Sequence, residues 1–469
     1  MRIRMLGHHV PVSMAVLSAI EATVFFAAVY GAVMARFGAS PLAVADLGEL
    51  QGAVWPRALL FSAVMMVCFL AFGLYSLRQR ARLAGMAARV ALALFVGFII
   101  TATLFYLVPV LWMGRGLEAL AAIGGLCGVT VSRVIFSHVV DENLFKRRVL
   151  VYGAGASAAA IGGLRRRADR RGFIVVGFVP AHRTERAVAL DRVLDPGGSL
   201  VSLCEKLGVV EVVVAMDDRR SGFPIAELLK CRLAGVEVTE LLTFLERETG
   251  RVRIDVLNPS WLIFGQGFRR DPLRLVTSRI LDLTVSVAAM LLALPLMLLV
   301  AVMIKLEEGW RAPVLYRQRR VGLGGRLFDV IKFRSMRIDA EGDGKARWAQ
   351  KSDPRVTRVG AFIRKTRLDE VPQLFNVMRG QMSLVGPRPE RPQFVAELSE
   401  HIPYYVERHC VKPGITGWAQ ICYPYGSSEQ DSLEKLQYDL YYVKNNSLLF
   451  DLTILLQTAE IVCMGKGGR

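Results

Sequence analysis

The stretch ILDLTVSVAAMLLALPLMLLVAVMIKL, residues 280–306, decides how this chain is built. It is apolar and long enough to cross roughly 30 Å of hydrocarbon, for which about 20 residues suffice. Pro295 interrupts it after about four turns. Proline removes a backbone donor and clashes with the carbonyl four residues earlier, so it kinks or breaks a helix. Both flanks are basic: Arg269, Arg270, Arg274 and Arg279 before, Lys305 and Arg311 after. A crossing helix would put one cluster, and with it all of 305–469, on the far side. A helix that enters, bends at Pro295 and returns keeps both clusters on one face. Charge therefore favours a re-entrant helix over an ordinary kinked span, although proline is tolerated in membrane helices.

Outward toward the N-terminus, four further apolar stretches cover 10–34, 55–77, 87–112 and 117–140. The first is too long for a signal peptide and carries Glu21, so it reads as a span. Arg2 and Arg4 precede it, Arg78, Arg80, Arg82 and Arg89 link the second and third stretches, and Lys146, Arg147 and Arg148 follow the fourth. The alternate loops hold only Arg36, Arg57 and Arg115. By the positive-inside rule both ends of this four-helix unit face the cytoplasm. Glu21 reads either as a functional intramembrane acid or as a group packed between helices.

Composition agrees with that division. The chain has 469 residues, 53% of them hydrophobic and only 21% charged, too apolar for an ordinary cytosolic enzyme or a disordered chain. The net charge is +18, distributed as +4 over 1–144, +5 over 145–268 and +9 over 269–469. A basic soluble portion attached to an apolar one points to anionic partners: membrane lipid, a phosphorylated substrate or nucleic acid. The seven cysteines form no CxxC pair, which argues against a disulfide framework or a cysteine zinc site. Three regions follow: four membrane helices in 1–144, an α/β cytoplasmic domain in 145–268, and a mixed α/β unit in 269–469 anchored by the helix at 280–306.

In the middle region, Val149-Leu-Val-Tyr152 reads as a buried strand and runs into Gly153-Ala-Gly155-Ala-Ser-Ala158 and a helix-compatible segment. Further strands are expected at 173–179, 209–215 and 236–239. Strand, glycine turn and helix form the context of a dinucleotide fingerprint, with Gly153 and Gly155 at its turn. No Asp or Glu follows at the ribose position. The two readings are a nucleotide site and a structural or regulatory Rossmann-like module. The arginines of 165–171 read as a solvated or membrane-facing helix surface rather than a nucleic-acid site.

The last region carries the chemistry. Asp369-Glu370 is preceded by Arg364, Lys365 and Arg367, and basic neighbours favour ionised carboxylates, as a nucleophile or a Mg²⁺ ligand requires. An acidic pair at a solvated helix N-terminus is the bland alternative. Pro387 and Pro389 fix the backbone on both sides of Arg388, so its guanidinium can be presented rigidly to phosphate or nucleotide. Lys332 and Arg334 project in opposite directions if the segment is extended, whereas in a turn they could converge on a diphosphate. Basic groups, one acidic pair and no His/Cys ligand set point to Mg²⁺-assisted phosphoryl chemistry rather than zinc hydrolysis. His401 and His409, without an HxxxH or HExxH pattern, read as structural. The segment 448–462 interleaves bulky apolar residues with Asp451, Thr453, Gln457 and Glu460, and fits a membrane surface or packing on the catalytic unit equally well.

These blocks occur in a fixed order: KFRSM at 332–336, DPRVT at 353–357, RKTRLDEVPQLFNV at 364–377, MSLVGPRPE at 382–390 and KPGITGWAQ at 412–420. From about 270 onward the chain resembles the bacterial sugar transferases, the polyprenyl-phosphate hexose-1-phosphate transferases. As a whole it resembles their long form, and 241–264 resembles an exopolysaccharide-biosynthesis branch. The resemblance implies that the Pro295 helix is re-entrant. It implies that Asp369 attacks the β-phosphorus of a UDP-sugar, glucose or galactose being favoured, to give a phosphosugar–enzyme intermediate and UMP. Polyprenyl phosphate then accepts the sugar phosphate. Glu370 would hold Mg²⁺, Arg388 would contact the nucleotide, and Lys332, Arg334 and Arg364 would contact phosphates. Long-form members also imply a homodimer. Two rivals remain: a glycosyltransferase that releases UDP, and a non-catalytic membrane scaffold or regulator of polysaccharide assembly.

Overall fold

The computed structural model describes residues 2–5, 8–38, 53–75, 83–139, 146–164, 172–182, 185, 187–195, 197–218, 222–257, 272–337, 355–423, 426 and 428–463. The arginines of 165–171, the stretch 258–264, Arg269, Arg270 and Asp353 fall outside them. The chain divides into two compact units, Met1–Thr249 and Gly250–Arg469.

The first unit opens with a short antiparallel hairpin, β1 (Arg2–Met5) and β2 (His8–Pro11). Four apolar helices follow: α1 (Val12–Phe37), α2 (Val54–Ala71), α3 (Leu83–Leu107) and α4 (Arg115–Val139). Parts of α1, α3 and α4 are long and apolar enough to cross a membrane, while α2 is shorter. Apolar side chains offer little discrimination in lipid, so close packing and polar pairs hold such helices together. A Cβ on Gly128 would meet Val24 at 2.5 Å and one on Gly125 would meet Phe25 at 2.9 Å, so the glycine face of α4 lies flush on α1. Glu21, fully buried, accepts from Arg133 Nε at 2.6 Å and from the Tyr75 hydroxyl at 2.5 Å. Its charge is thus neutralised between α1 and α4, in keeping with the packing reading.

Downstream lies a four-stranded, all-parallel sheet: β3 (Arg147–Tyr152), β4 (Phe173–Val179), β5 (Glu211–Val214) and β6 (Glu237–Glu240), in the order β4-β3-β5-β6. Its crossovers carry the helices α5 (Ala156–Gly162), α6 (Leu200–Leu207) and α7 (Ile225–Leu233), and α8 (Leu241–Thr249) follows β6. Parallel strands covered by helices are buried, and β5 is buried at every position. Arg147 pairs with Glu211 and Glu248, and Arg247 also reaches Glu211 at 2.6 Å, closing an ionic cluster at the start of β3.

The second unit begins its described helices with α9 (Pro272–Glu308), one helical element of 37 residues with Pro295 inside it. Near its start, Arg279 donates to the Val377 and Met378 carbonyls, each at 2.6 Å, and buried Asp282 accepts from Leu384 N at 2.9 Å. Toward its end, Met297, Val300 and Ile304 pack with Phe333 and Ile363. Both halves of α9 therefore rest on one folded unit. That unit comprises an antiparallel hairpin of β7 (Leu315–Val321) and β8 (Leu327–Phe333), helix α10 (Arg358–Lys365), a 3₁₀ turn at Leu368–Gln373 and helix α11 (Leu374–Met378). Next come β9 (Ser383–Val385), α12 (Pro392–His401), β10 (Gly414–Thr416), α13 (Trp418–Cys422), α14 (Glu429–Asn445) and α15 (Leu448–Cys463). β9 and β10 pair in parallel. The core lies where Val377, Met382, Leu384, Trp418, Tyr438 and Ile454 meet. Helix α15 packs into it: Ile454 is fully buried, Asp451 accepts from the Tyr442 hydroxyl at 2.7 Å, and Thr458 meets Thr416 at 2.7 Å.

Candidate active site

The polar pattern of 364–376 folds into a tight corner. Helix α10 is capped by the Thr357 hydroxyl and ends at Thr366, and Arg367 then takes the left-handed conformation with φ 61°. Only a few per cent of non-glycine residues do so, and such residues are held by their surroundings. This turn ends α10 and starts the 3₁₀ segment that carries Asp369 and Glu370 into the unit. Buried Asn376 fastens the corner to β8: its Oδ1 accepts from Ile331 N at 3.0 Å, and its Nδ2 donates to the Asp329 carbonyl at 2.7 Å. The residue after Ile331 is Lys332, so the strand that supplies the lysine and the turn that supplies the carboxylates are joined by one amide.

Glu370 is the centre of a cationic ring. Arg388 Nη2 lies 2.8 Å and Lys332 Nζ 3.2 Å from the same carboxylate oxygen, with Arg367 at 3.9 Å from the other. Burial would raise the Glu370 carboxyl, but Arg388, Lys332 and Arg367 outweigh it and hold it well below the usual range. Burial lowers the Lys332 ammonium, against the pull of Glu370. Asp369 is treated differently. Burial and then neighbouring Glu370 raise its carboxyl, only partly offset by Lys332, Arg364 and Arg388. Its Oδ1 is buried and has no hydrogen-bond partner. The two adjacent carboxylates are thus driven apart in character, one saturated by cations and one with an oxygen left unpartnered.

Arg388 reaches this cluster from a backbone that is pinned on both sides. Gly386 N donates to the Thr416 carbonyl at 2.9 Å and Gly414 N to the Pro387 carbonyl at 3.0 Å, so the Gly-Pro-Arg-Pro and Lys-Pro-Gly segments zip together. A Cβ on Gly386 would meet the Lys412 carbonyl at 2.3 Å, which is why glycine stands there. Buried Arg408 donates to the Arg388 carbonyl at 3.0 Å and to Asp439 at 2.7 Å, and Arg320 donates to the Pro389 carbonyl at 3.1 Å. A small cavity beside the ring is lined by Arg320, Lys332, Gln373, Arg388, Pro389 and Gly414.

Lys332, Glu370 and Arg388 therefore meet directly, with Asp369 beside them and Arg364 near enough to act on its charge. Arg334 is held over the Tyr316 ring at 5.9 Å and donates to the Pro313 carbonyl at 3.0 Å. Sequence reasoning gave no role to Arg320, Asn376, Arg408 or Asp439. Asn376 and Asp439 are polar residues inside otherwise core-like helical segments, a signal that carries no chemistry of its own. Arg320 on β7 and Arg408 in the 3₁₀ turn at Tyr405–Cys410 look like any surface arginine in the sequence. His409 is buried, with Nδ1 3.1 Å from the Val406 carbonyl. Burial and then Arg408 lower its imidazole to about 4. An unfolded histidine binds its proton near 6.5, so between those values the unfolded state holds more protons and stability rises with pH. Acidification from about 6.5 toward 4 should cost on the order of 3 kcal/mol. Thermal unfolding of wild type against His409→Gln across that window checks this, the variant giving the flatter profile.

Gly153 and Gly155 occupy the turn after β3. A Cβ on Gly153 would meet the Ala215 carbonyl at 2.3 Å, and one on Gly155 would meet Asp217 Oδ2 at 2.0 Å. Asp217 accepts from Ala156 N at 2.8 Å and Ser157 N at 2.7 Å, while Glu185 accepts from Ala154 N at 2.7 Å. The amides that a dinucleotide phosphate would need are taken by the chain's own carboxylates.

A unit that carries a 37-residue apolar helix and a half-buried carboxylate pair beside a lysine and arginines defines the class: an enzyme-like site suited to phosphate groups. The sequence profile of the bacterial sugar transferase family matches residues 273–465. The chain is 43% identical over 267 residues to the UDP-N-acetylgalactosamine-undecaprenyl-phosphate N-acetylgalactosaminephosphotransferase of Aeromonas hydrophila, covering 56% of this chain and 62% of that protein. It is 43% identical over 195 residues to the UDP-glucose:undecaprenyl-phosphate glucose-1-phosphate transferase of Xanthomonas campestris pv. campestris, covering 41% of this chain and 40% of the relative. Over 134 residues it is 50% identical to a putative undecaprenyl-phosphate N-acetylgalactosaminyl 1-phosphate transferase of Bacillus subtilis, covering 29% of this chain and 73% of that one. The chain belongs to the bacterial sugar transferase family. The matches span less than two thirds of the length of the first two relatives.

Proposed function

We propose that this chain transfers a hexose 1-phosphate from a UDP-sugar to polyprenyl phosphate, as the first step of exopolysaccharide synthesis. The observation that carries the reading is the unpartnered, buried Asp369 oxygen set beside the Glu370–Lys332–Arg388 cluster. An Asp369 oxygen attacks the β-phosphorus, and the bond from that phosphorus to the oxygen bridging the two phosphates breaks. UMP leaves with the bond electrons, and an aspartyl phosphosugar remains. An oxygen of polyprenyl phosphate then attacks the same phosphorus, the bond to Asp369 breaks, and the carboxylate returns. The product is a polyprenyl diphosphate-linked sugar. Splitting one phosphoryl transfer into two through a carboxylate nucleophile gives ping-pong kinetics. Lys332, Arg388 and Arg364 neutralise charge on the diphosphate, and burial keeps water from the acyl phosphate.

Glu370 and the free Asp369 oxygen fit Mg²⁺, which binds one or two carboxylates and takes its remaining ligands from phosphates and water. When bound, the ion neutralises and orients the diphosphate. Glu370 would hold it, and the cations now on Glu370 would shift toward the substrate phosphates.

Support for a re-entrant α9 comes from its packing. Asp282 and Ile304 are 22 residues apart, about 33 Å along a straight helix, and both rest on the same unit. A helix crossing the bilayer would carry its two ends to opposite faces. With the basic flanks, this favours a catalytic unit on the cytoplasmic face of the inner membrane, where a water-soluble donor and a lipid acceptor meet. We read the parallel sheet as a Rossmann-like module that is structural or regulatory, because Asp217 and Glu185 fill the phosphate position.

The test mixes purified protein, polyprenyl phosphate, Mg²⁺ and UDP-linked glucose, galactose, N-acetylglucosamine and N-acetylgalactosamine. UMP release is expected, and the productive donor names the sugar. UDP release would mean glycosyl transfer and remove the covalent aspartate from the scheme.

A further inference from the structure

The β7–β8 hairpin has a second face. Side chains alternate along a strand, so Gln318, Arg320, Val330 and Lys332 point one way and Arg317, Arg319, Asp329 and Ile331 the other. On that second face lies a cavity of about 450 Å³, lined by Arg317, Arg319 and Arg379 with Leu327, Asp329 and Gln381. All three arginines are exposed, and among the described residues none of them is held in a hydrogen bond or an ion pair. Arg319 stands directly across the ladder from Asp329 and forms no ion pair with it. Three guanidinium groups against one carboxylate leave a surplus of two positive charges around a concave surface. Self-repulsion makes such an arrangement costly unless an anion visits it. Arg379 follows Val377 and Met378, whose carbonyls accept from Arg279 of α9, so the groove sits beside the basic start of the membrane helix. This is where phospholipid headgroups stand.

We propose that Arg317, Arg319 and Arg379 form a second phosphate-binding site, separate from the Lys332–Arg388 cavity and on the opposite face of the hairpin. Planar guanidinium forks match phosphate oxygens bidentately, and three converging forks suit a phosphate mono- or diester. The two sources of that chemistry at this location are the headgroup of an anionic phospholipid and a soluble phosphate.

Full-length protein in a neutral detergent is titrated with phosphatidylglycerol, with phosphatidylcholine and with inorganic phosphate, and bound ligand is read by native mass spectrometry. Arg317→Gln/Arg319→Gln/Arg379→Gln is compared with wild type and with Lys206→Gln/Lys230→Gln/Arg232→Gln, which loses the same charge elsewhere. The groove variant should lose at least about tenfold in affinity, as expected for two or three charge-assisted contacts, while the control variant keeps wild-type binding. Loss confined to phosphatidylglycerol assigns the site to a lipid headgroup, and loss of inorganic phosphate binding as well assigns it to soluble phosphate. The residues of the Lys332–Arg388 cavity are unchanged in every variant, so any phosphate bound there is common to all. Equal binding of both anionic probes by wild type and the groove variant overturns the proposal, as does an equal loss in the charge-matched control. Arg379→Gln alone, which alters no strand residue, should give part of the loss and guards against misfolding of the hairpin.

Discussion

Asp369→Asn should abolish sugar-phosphate transfer while leaving the protein as stable as wild type or slightly more so. Removing a nucleophile from a covalent mechanism typically costs several orders of magnitude in kcat, and a loss of at least about 10³-fold is expected here. Stability moves the other way for a physical reason. The Asp369 side chain is half-buried, its Oδ1 is buried without a partner, and burial with adjacent Glu370 raises its carboxyl. Holding it ionised at neutral pH therefore costs folding free energy that a neutral amide does not. Active sites commonly trade stability for reactivity in this way. The measurement pairs UMP release with thermal unfolding of the same preparations. Wild type given UDP-sugar without lipid acceptor should release up to one equivalent of UMP and gain the mass of a phosphosugar, and the variant should do neither. Substantial turnover by Asp369→Asn would remove Asp369 from the nucleophile role. A large fall in its melting temperature would instead make it a structural carboxylate.

The second large effect is expected at Arg408. Its guanidinium donates to Asp439, to the Tyr405 hydroxyl at 2.9 Å and to the Arg388 carbonyl, all in the interior of the second unit. Arg408→Met leaves Asp439, only 3% exposed, as an unpaired buried charge. Breaking such a pair from one side costs about 3–5 kcal/mol, whereas replacing both partners with apolar groups is often close to neutral. The double variant Arg408→Met/Asp439→Leu should therefore recover most of the stability lost by the single one. It should not recover activity, because the Arg388 carbonyl has still lost the donor that fixes the Pro-Arg-Pro turn. A rise of about tenfold in KM for the UDP-sugar is expected in the double variant, the scale of one lost charge-assisted contact. If stability and KM return together, Arg408 acts on the fold alone and not through Arg388.

How much of this was legible in the chain depends on the range of the interaction. Strand β4 coincides with the expected 173–179, and β3, β5 and β6 lie within about two residues of expectation, because a run of Val and Leu between glycine turns has few alternatives. The apolar helices were equally plain, since their length and composition are local properties. Asp369, Glu370, Lys332 and Arg388 stood out because charged groups bracketed by proline and basic residues are unusual in a packed unit. Invisible beforehand was the division of labour between the two carboxylates. Basic neighbours in sequence suggested that both were equally favoured as ions, yet Arg388 and Lys332 converge on Glu370 and leave Asp369 Oδ1 without a partner. Arg388 is 18 residues from Glu370 and Lys332 is 38, and no periodicity encodes which oxygen they choose. The glycine turn shows the same limit. Its spacing fits a phosphate loop, but Asp217, more than 60 residues on, fills the space above Gly155.

The sequence by itself determined the membrane helices, the parallel strands, the ordered motif blocks and the membership of a family. Hydrophobic length, side-chain alternation and proline and glycine constraints act over a few residues and can be read in order. Only the tertiary structure decided that α15 packs on the catalytic core, that Asn376 ties the lysine strand to the carboxylate turn, and that Arg408 holds the Arg388 backbone. It alone set Arg317, Arg319 and Arg379 around one groove. Those outcomes depend on which distant groups share a buried volume, where each polar atom must find a partner or pay for its absence, and that is settled when the chain closes on itself.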